Sequence, residues 1–249
     1  MRLKLIACEI LFRELAAICA KSVNQIDIEL MPKGLHDIGG TGMSEQLQQT
    51  LAAVDSARYD AIVLGYGMCS YGIVGLAATE IPLVVPRAHD CITLFLGDRQ
   101  RYLHYFNDHP GVYFKTTGWL ERGNDLEQLG ADAIQNTSQM NMSYEQLVEK
   151  YGEENAQFLY REIGELTRNY GQITFIEMGI EPDDRFENAA REQAKERNWK
   201  FEKIEGDLAL LTRLLDGPWN DDEFLVVEPG RQIAQSYDER IIKAVPIDV

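Results

Sequence analysis

The stretch AIVLGYGMCS, residues 61–70, decides the fold prediction, because its apolar run is followed directly by glycines and a cysteine. A short, fully apolar run is typical of a strand that is buried on both faces of a parallel sheet. Similar runs lie on either side of it, namely LKLIA at 3–7, IDIELM at 26–31 and LVVPRA at 83–88. Helical periodicity between these runs predicts an α/β fold, with a Rossmann-like, mostly parallel sheet flanked by helices.

The second half of the chain changes character and then returns to the same pattern. Residues 124–170 contain little strand signal and predict a helical insert of two helices. Strand patterns resume with ITFIEMG at 173–179, WKFEKI at 199–204 and EFLVVEPG at 223–230. We predict one domain over residues 1–249. The alternative is two lobes, a site-bearing α/β lobe at 1–121 and a lobe at 122–249 with the insert and a second α/β region.

Composition excludes several classes of protein. The net charge is −16, whereas nucleic-acid and anionic membrane surfaces are bound through clustered Lys and Arg. We therefore expect neither as a partner. The longest apolar runs fall short of the ~18 residues of a membrane span. Glu9 interrupts the opening apolar stretch, which argues against a signal peptide, and we expect a cytoplasmic protein. In a reducing compartment, four cysteines indicate ligands, catalysts or core residues rather than disulfides.

Cysteines and histidines follow the apolar runs, each at the point where a predicted strand ends. Because the carboxyl ends of parallel strands meet at one edge of a sheet, we expect these side chains to lie close together there. Thiolates and imidazoles are the ligands that zinc and iron–sulfur clusters take. The predicted metal ligands are Cys8, His36, Cys69, His89 and Cys91.

The members of this set differ in how they are predicted to be placed. His89 and Cys91 are two residues apart, so both face the same side if the turn is extended. His36 lies in a Gly-rich loop and is expected at the margin of the cluster. Cys19 lies on the apolar stripe of a predicted helix, where a cysteine is usually a small core residue. We therefore place Cys19 outside the site.

Two glycine-rich segments are candidate cofactor-binding loops. GYGMCSYG contains Gly65, Gly67 and Gly72 after a strand, which indicates that the backbone approaches something closely. The alternative is a tight turn in which the glycines serve packing alone. GGTG contains Gly39 and Gly40 before a helix, a composition that suits a phosphate cradle, although it matches no nucleotide motif and a plain flexible loop is the alternative.

Four residues of the same segments are candidate catalytic groups. Cys69 is the candidate nucleophile, since flanking glycines leave it accessible and a nearby helix N-terminus would lower its pKa. His89 is the candidate base for it. Glu9 is a further acid–base candidate beside Cys8, and Arg87 would bring a fixed positive charge suited to a carboxylate or phosphate.

Several segments resemble the DUF1638 family of bacterial and archaeal proteins. The resemblance is carried by ACEILFREL, LGYGMCSYGIVGL, PRAHDCITLFLGDRQRY, PGVYFKTTGWLE and the closing GPWNDDEFLVVEPG, and it covers most of the chain. The family is named for its lack of an assigned function, so the resemblance implies no reaction and no catalytic residues. An association of its members with corrinoid-dependent methyl metabolism makes a corrinoid a further candidate cofactor.

Three functions are consistent with these residues. The first is an enzyme whose zinc ion or iron–sulfur cluster acts on a small molecule, with links to methyl, thiol or corrinoid chemistry. The second is a non-catalytic carrier that delivers a metal, corrinoid or small molecule to a partner protein. The third is a metal-free thiol enzyme in which Cys69 and His89 act as a nucleophile and base pair.

Overall fold

The computed structural model describes residues 1–69, 71–122, 148, 152–153 and 170–247. Its strands are β1 (Arg2–Cys8), β2 (Gln25–Met31), β3 (Ala61–Gly65), β4 (Leu83–Pro86), β5 (Val112–Thr116), β6 (Gln172–Glu177), β7 (Lys200–Glu205), β8 (Phe224–Val227), β9 (Arg231–Gln235) and β10 (Ile242–Pro246). Its α-helices are α1 (Phe12–Cys19), α2 (Gly39–Ala52), α3 (Cys91–Leu96), α4 (Arg99–Asp108), α5 (Thr117–Glu121), α6 (Arg185–Glu196) and α7 (Ala209–Asp216). Short 3₁₀ helices span Glu9–Leu11, Lys33–Ile38 and Ser56–Arg58.

The larger sheet has the strand order β2-β1-β3-β4-β8. Its first four strands are parallel, and β8 closes the edge antiparallel to β4. The prediction of a mostly parallel sheet flanked by helices is therefore confirmed. The chain moves from β1 outward to β2 and then crosses back to β3, so the winding direction reverses between β1 and β3. Open α/β sheets bind their ligands at such a reversal, beyond the carboxyl ends of the strands.

Apolar burial explains why the inner strands read as continuous hydrophobic runs. Every residue of β3 and β4 is buried, and Leu5 on β1 and Val63 on β3 are fully enclosed. Helix α7 contacts β3 and β4, and α1 packs against α7. A strand that is covered on both faces has no solvent side, so the alternation of polar and apolar residues disappears.

A second, smaller sheet has the order β5-β6-β7, with all three strands parallel. Helix α6 packs on β6 and β7, and its Ala190 and Ala194 form a separate small core with Ile173 and Phe175. Because β5 belongs to this sheet and β8 to the larger one, sheet membership crosses the predicted lobe division at residue 121. Strands β9 and β10 form an antiparallel hairpin.

Glycines shape the helices at two places. The helical pattern CITLFLGDRQRYLHYF at 91–106, which the sequence alone predicts as one helical segment, is two helices, because Gly97 takes a left-handed φ of 74° and Asp98 caps α4 by accepting the Arg101 N–H at 2.7 Å. The predicted glycine-rich loop at Gly39 and Gly40 is instead the first turn of α2. The two helices predicted within 124–170 fall almost entirely outside the described residues.

Glu14 is a buried carboxyl group on the inner face of α1. It is 1 % exposed, and neither carboxylate oxygen has a hydrogen-bond partner in the described part of the chain. Burial raises its pKa from 4.5 to about 7, and the negative charge of Glu181 adds to the rise. A carboxyl group whose pKa is higher in the folded than in the unfolded state makes folding less favourable as the pH rises.

We expect Glu14→Gln to remove this pH dependence. Wild-type stability should fall between pH 4.5 and 7 and stay low above it, with a total loss of about 3 kcal/mol at about 1.4 kcal/mol for each tenfold change in proton affinity. Urea unfolding at pH 5 and pH 8 measures this. The control is Glu45→Gln, which changes an exposed glutamate of α2. The same pH dependence in Glu14→Gln and wild type would contradict the assignment.

Candidate functional site

A small cavity lies at the carboxyl edge of the larger sheet, where β1 and β3 end and the winding direction reverses. It leaves about 20 Å³ for the centre of a water-sized sphere, which is room for about one water molecule or one metal ion. Three of the four cysteines of the chain contribute to its wall. The lining residues are Cys8, Ile10, Lys33, His36, Met43, Gly65, Tyr66, Cys69, Cys91 and Trp119.

Cys8 is the last residue of β1 and is 8 % exposed. Desolvation raises the pKa of its thiol from 9.0 to about 12. A hydrogen bond from the Ile10 backbone N–H and the charge of Lys33 oppose this rise without cancelling it. The Cys8 sulfur is thus protonated at neutral pH, with an N–H group already directed at it.

Cys69 is held in an unusual backbone conformation by the loops that follow β3 and β4. Its φ is 43°, in the left-handed region that non-glycine residues rarely occupy. The Cys69 N–H donates to the His89 carbonyl at 3.0 Å, and the Met68 N–H donates to the Ala88 carbonyl at 2.8 Å. Desolvation, with the Cys8 and Asp90 charges, raises the pKa of the Cys69 thiol to about 12.

Cys91 is the first residue of α3. Asp90 caps this helix by accepting the Ile92 and Thr93 N–H groups. Burial and the charge of Cys69 hold the pKa of the Cys91 thiol well above its usual range, and a hydrogen bond to Trp119 opposes this. The three cavity cysteines are therefore neutral thiols in an apolar wall.

The raised thiol pKa values bear directly on the predicted nucleophile. An activated cysteine has a lowered pKa, and burial moves that of Cys69 in the opposite direction. His89, its predicted base, does not line the cavity, and its ring lies against Tyr102 with the centroids 6.4 Å apart. This geometry does not form a Cys69–His89 nucleophile and base pair.

Polar and aromatic residues from two other segments complete the cavity. Lys33 begins a 3₁₀ helix after β2, and its ammonium group lies 4.9 Å from the centre of the Trp119 ring. His36 follows on the same 3₁₀ helix and is an exposed residue at the cavity. Trp119 comes from α5, which approaches so closely that a Cβ atom at Gly118 would lie 1.7 Å from the Ile10 carbonyl oxygen. Only glycine permits this approach.

Two of the predicted catalytic residues, Glu9 and Arg87, do not line the cavity. Glu9 accepts the Lys33 backbone N–H at 2.8 Å and pairs with Arg122 at 3.7 Å. Arg87 is 4 % exposed and donates to the backbone carbonyl and carboxylate of Asp221, and to the carbonyls of Arg240 and Ile242. Since Arg87 holds the C-terminal segment, the prediction that it faces a ligand is corrected.

The predicted cofactor-binding glycines face protein atoms instead. A Cβ atom at Gly65 would lie 2.5 Å from the Ala7 Cβ, and one at Gly67 would lie 2.7 Å from the Asp90 Cα. At Gly72 it would lie 2.2 Å from the Met43 sulfur. These glycines serve close packing around the cavity, which was the alternative interpretation of the segment.

The structure thus brings together four of the five predicted metal ligands, and it leaves out His89. Within the described ranges, however, no group of three or more His, Cys, Asp or Glu side chains has the spacing of a formed metal site. Cys19 lies apart on α1 and is half-buried against the core. The sulfurs share one cavity wall without converging on a single point.

Sequence reasoning missed three chemically informative lining residues. Tyr66 stands between the glycines of a segment that was singled out, so its position carried a signal. Trp119 lies in KTTGWLE, where Gly118 beside a tryptophan was the only hint of a close contact. Lys33 carried no signal, because a lysine after a strand is ordinarily a solvated surface residue.

The sequence profile described as "Protein of unknown function (DUF1638)" matches residues 30–215, three quarters of the chain. The chain belongs to the DUF1638 family. Searches of curated proteins and of solved structures found no match. Among the described helices of this DUF1638 protein, none combines the length and the apolar run that crossing a bilayer takes.

We expect Arg87 to contribute to stability. Arg87→Lys keeps the charge but loses the planar fork that reaches Asp221 and two carbonyls together, so the free energy of unfolding should fall by about 2–4 kcal/mol. The matched control is Arg240→Lys, which alters the exposed partner of the same Asp221 and should cost less than about 1 kcal/mol. Equal effects of the two variants in urea unfolding would contradict this assignment.

Proposed function

We propose that the cavity binds one soft metal ion through Cys8, Cys69 and Cys91, and that the protein uses this ion on a small molecule. The observation that carries the proposal is the presence of three thiols, of the buried Cys8 and Cys69 and the partly buried Cys91, in the wall of one ion-sized cavity. Cysteines that served only as core packing residues would have no reason to line the same cavity. The cavity that the three thiols share lies at the winding reversal of the mostly parallel sheet, where α/β proteins bind ligands.

The size and the donor set favour zinc over an iron–sulfur cluster. About 20 Å³ suits one ion, whereas a cluster adds several iron and sulfide atoms. Zinc takes thiolates at about 2.3 Å, so binding requires the three side chains to move toward each other from their positions here. A corrinoid ring does not fit this cavity.

The enzyme and the ion carrier would differ in what occupies the fourth coordination position of the metal ion. Three protein ligands leave one position for water or substrate, as in catalytic zinc sites, whereas four protein ligands close a site. His36 is the neighbouring imidazole that would close it. The small cavity supports the carrier as a second candidate, because it accepts an ion but no organic substrate in this conformation.

Metal analysis of cysteine variants tests the proposal. Anaerobically purified and zinc-reconstituted wild type should hold about one ion per chain. The double variant Cys8→Ser with Cys69→Ser should lose at least nine tenths of it. Cys19→Ser is the matched control, since it removes a thiol of the same chain that lies outside the cavity.

Two results would overturn the proposal. One is full zinc retention in the double variant while its circular dichroism spectrum stays native. The other is equal zinc loss in Cys19→Ser. Replacement of His36 by Asn then separates the two candidates, because loss of zinc in that variant indicates a closed, four-ligand site, and retention indicates an open one.

Proton release gives an independent prediction from the thiol pKa values. Because burial raises the pKa of Cys8 and of Cys69 to about 12, and holds that of Cys91 well above its usual range, all three protons are still bound at pH 7. Zinc binding should therefore release about three protons per ion, and the affinity should rise with pH across the range from 6 to 9. Calorimetry in two buffers of different ionisation enthalpy measures the count. Release of one proton or none would contradict a three-thiolate site.

A further inference from the structure

Lys115 is a half-buried lysine near the end of β5, and no carboxylate of the described residues pairs with it. Its ammonium group lies 5.0 Å from the centre of the Tyr113 ring, which is two residues away and therefore on the same face of the strand. Helix α6 packs on β6 and β7, whereas Tyr113 on the edge strand β5 is 40 % exposed. The Lys115 amine thus lies at the margin of this sheet face.

Lys203 occupies the equivalent position on the other side of the same sheet. Both lysines align with Phe175 of the central strand in the parallel register. The Lys203 ammonium group pairs with Glu177 at 3.0 Å and with Glu187 at 3.1 Å, and these bonds raise its pKa. Two lysines at one level of the sheet therefore differ, because carboxylates balance the charge of Lys203 and no described carboxylate balances that of Lys115.

The surroundings of Lys115 favour a neutral amine beside a fixed positive charge. Burial lowers its pKa from 10.5 to about 8, and the positive charges of Lys33 and Arg197 add to the fall. At pH 7 about a tenth of the Lys115 amines are then neutral, against fewer than about one in a thousand for an ordinary lysine. A neutral amine is the form that attacks a carbonyl carbon. The Arg197 guanidinium, which lies 5.5 Å from the centre of the Trp199 ring and pairs with no carboxylate in the described ranges, stays charged and attracts an anion.

We propose that Lys115 forms an imine with a small aldehyde or ketone that carries a carboxylate or phosphate group, and that Arg197 binds this group. The Lys115 nitrogen adds its electron pair to the carbonyl carbon, and the carbonyl oxygen takes up the C=O π electrons and one proton from the nitrogen. Loss of water, formed from this hydroxyl and the second amine hydrogen, leaves a C=N bond without any change of oxidation state. The site needs no metal ion, so the inference goes beyond the proposed function and stands apart from it.

Reductive trapping with glyoxylate tests the inference, because glyoxylate joins an aldehyde to a carboxylate. Cyanoborohydride adds hydride to the imine carbon and gives a stable secondary amine, which peptide mass spectrometry assigns to one lysine. In wild type at pH 7.5, labelling of Lys115 should be at least about tenfold faster than labelling of Lys203, and its rate should saturate with glyoxylate. The ratio of the two rates should fall as the pH rises to about 10, because ordinary lysine amines then become neutral as well.

Glycolaldehyde, a neutral aldehyde of similar size, tests the role of Arg197. The preference of Lys115 for glyoxylate over glycolaldehyde should fall at least about threefold in Arg197→Gln. A change in the pKa of Lys115 affects both aldehydes alike, so this ratio reports binding of the anionic group. Arg191→Gln is the matched control and should keep the wild-type preference, since Arg191 lies 4.2 Å from the centre of the Phe201 ring but pairs with Glu187 at 2.5 Å. Thermal melting confirms that both variants are folded.

Three results would overturn the inference. One is equal labelling of Lys115 and Lys203 in wild type at pH 7.5, or a ratio of their rates that stays constant up to pH 10. The second is a Lys115 rate that rises linearly with glyoxylate, which indicates a reactive amine without a binding site. The third is an unchanged preference for glyoxylate in Arg197→Gln. Zinc content enters none of these measurements, so the proposed metal site is tested separately.

Discussion

The close parallel pairing of β1 with β3 is the constraint on which the site depends. Ala7 lies opposite Gly65 in this pairing, and a Cβ atom at Gly65 would lie 2.5 Å from the Ala7 Cβ. Because glycine allows the strands to meet at this point, Cys8 and Tyr66 leave the sheet side by side. The winding direction reverses between the same two strands, so the crevice that opens there is lined from both sides. A larger residue at 65 would separate the strands where the first thiol and the cavity begin.

In the proposed metal site, desolvation of three thiols in one wall would link metal loading to proton release. A thiolate in an apolar cavity has lost its hydration, and neighbouring thiolates repel it, so each of the three stays protonated without a cation. The N–H groups of Ile10 and Trp119 are directed at two of the sulfurs, where they stabilise negative charge once it forms. Raised thiol pKa values make such a wall unreactive toward ordinary electrophiles, and under the proposed function a soft cation would supply the missing charge. This contrast separates a metal-binding cysteine cluster from a nucleophilic cysteine.

Strand topology made part of the site predictable from sequence. Cys8 ends β1, Cys69 follows the neighbouring parallel strand β3, and Cys91 follows β4 next to it, so the rule that the carboxyl ends of parallel strands share one edge brought them together. The prediction that His89 lies beside Cys91 at the site failed for a local reason. Side chains two residues apart face the same side only in an extended chain, and helix α3 begins at Cys91. The contribution of Trp119 to the cavity could not be predicted from the sequence, because helix α5, which carries Trp119, follows a strand of the smaller sheet. Contacts between sheets depend on packing that no local pattern encodes.

The conformation of Cys69 indicates why this loop carries a side chain where glycine would be the easier choice. A non-glycine residue with a φ of 43° costs of order 1–3 kcal/mol, and the cost is met here by hydrogen bonds to the loop after β4. Those bonds run from the backbone N–H groups of Met68 and Cys69 to the carbonyls of Ala88 and His89. They fix both loops together, so the thiols of Cys69 and Cys91 reach the cavity from a single rigid unit. A loop selected for stability alone would place glycine at 69, and the strained cysteine is therefore an argument for function.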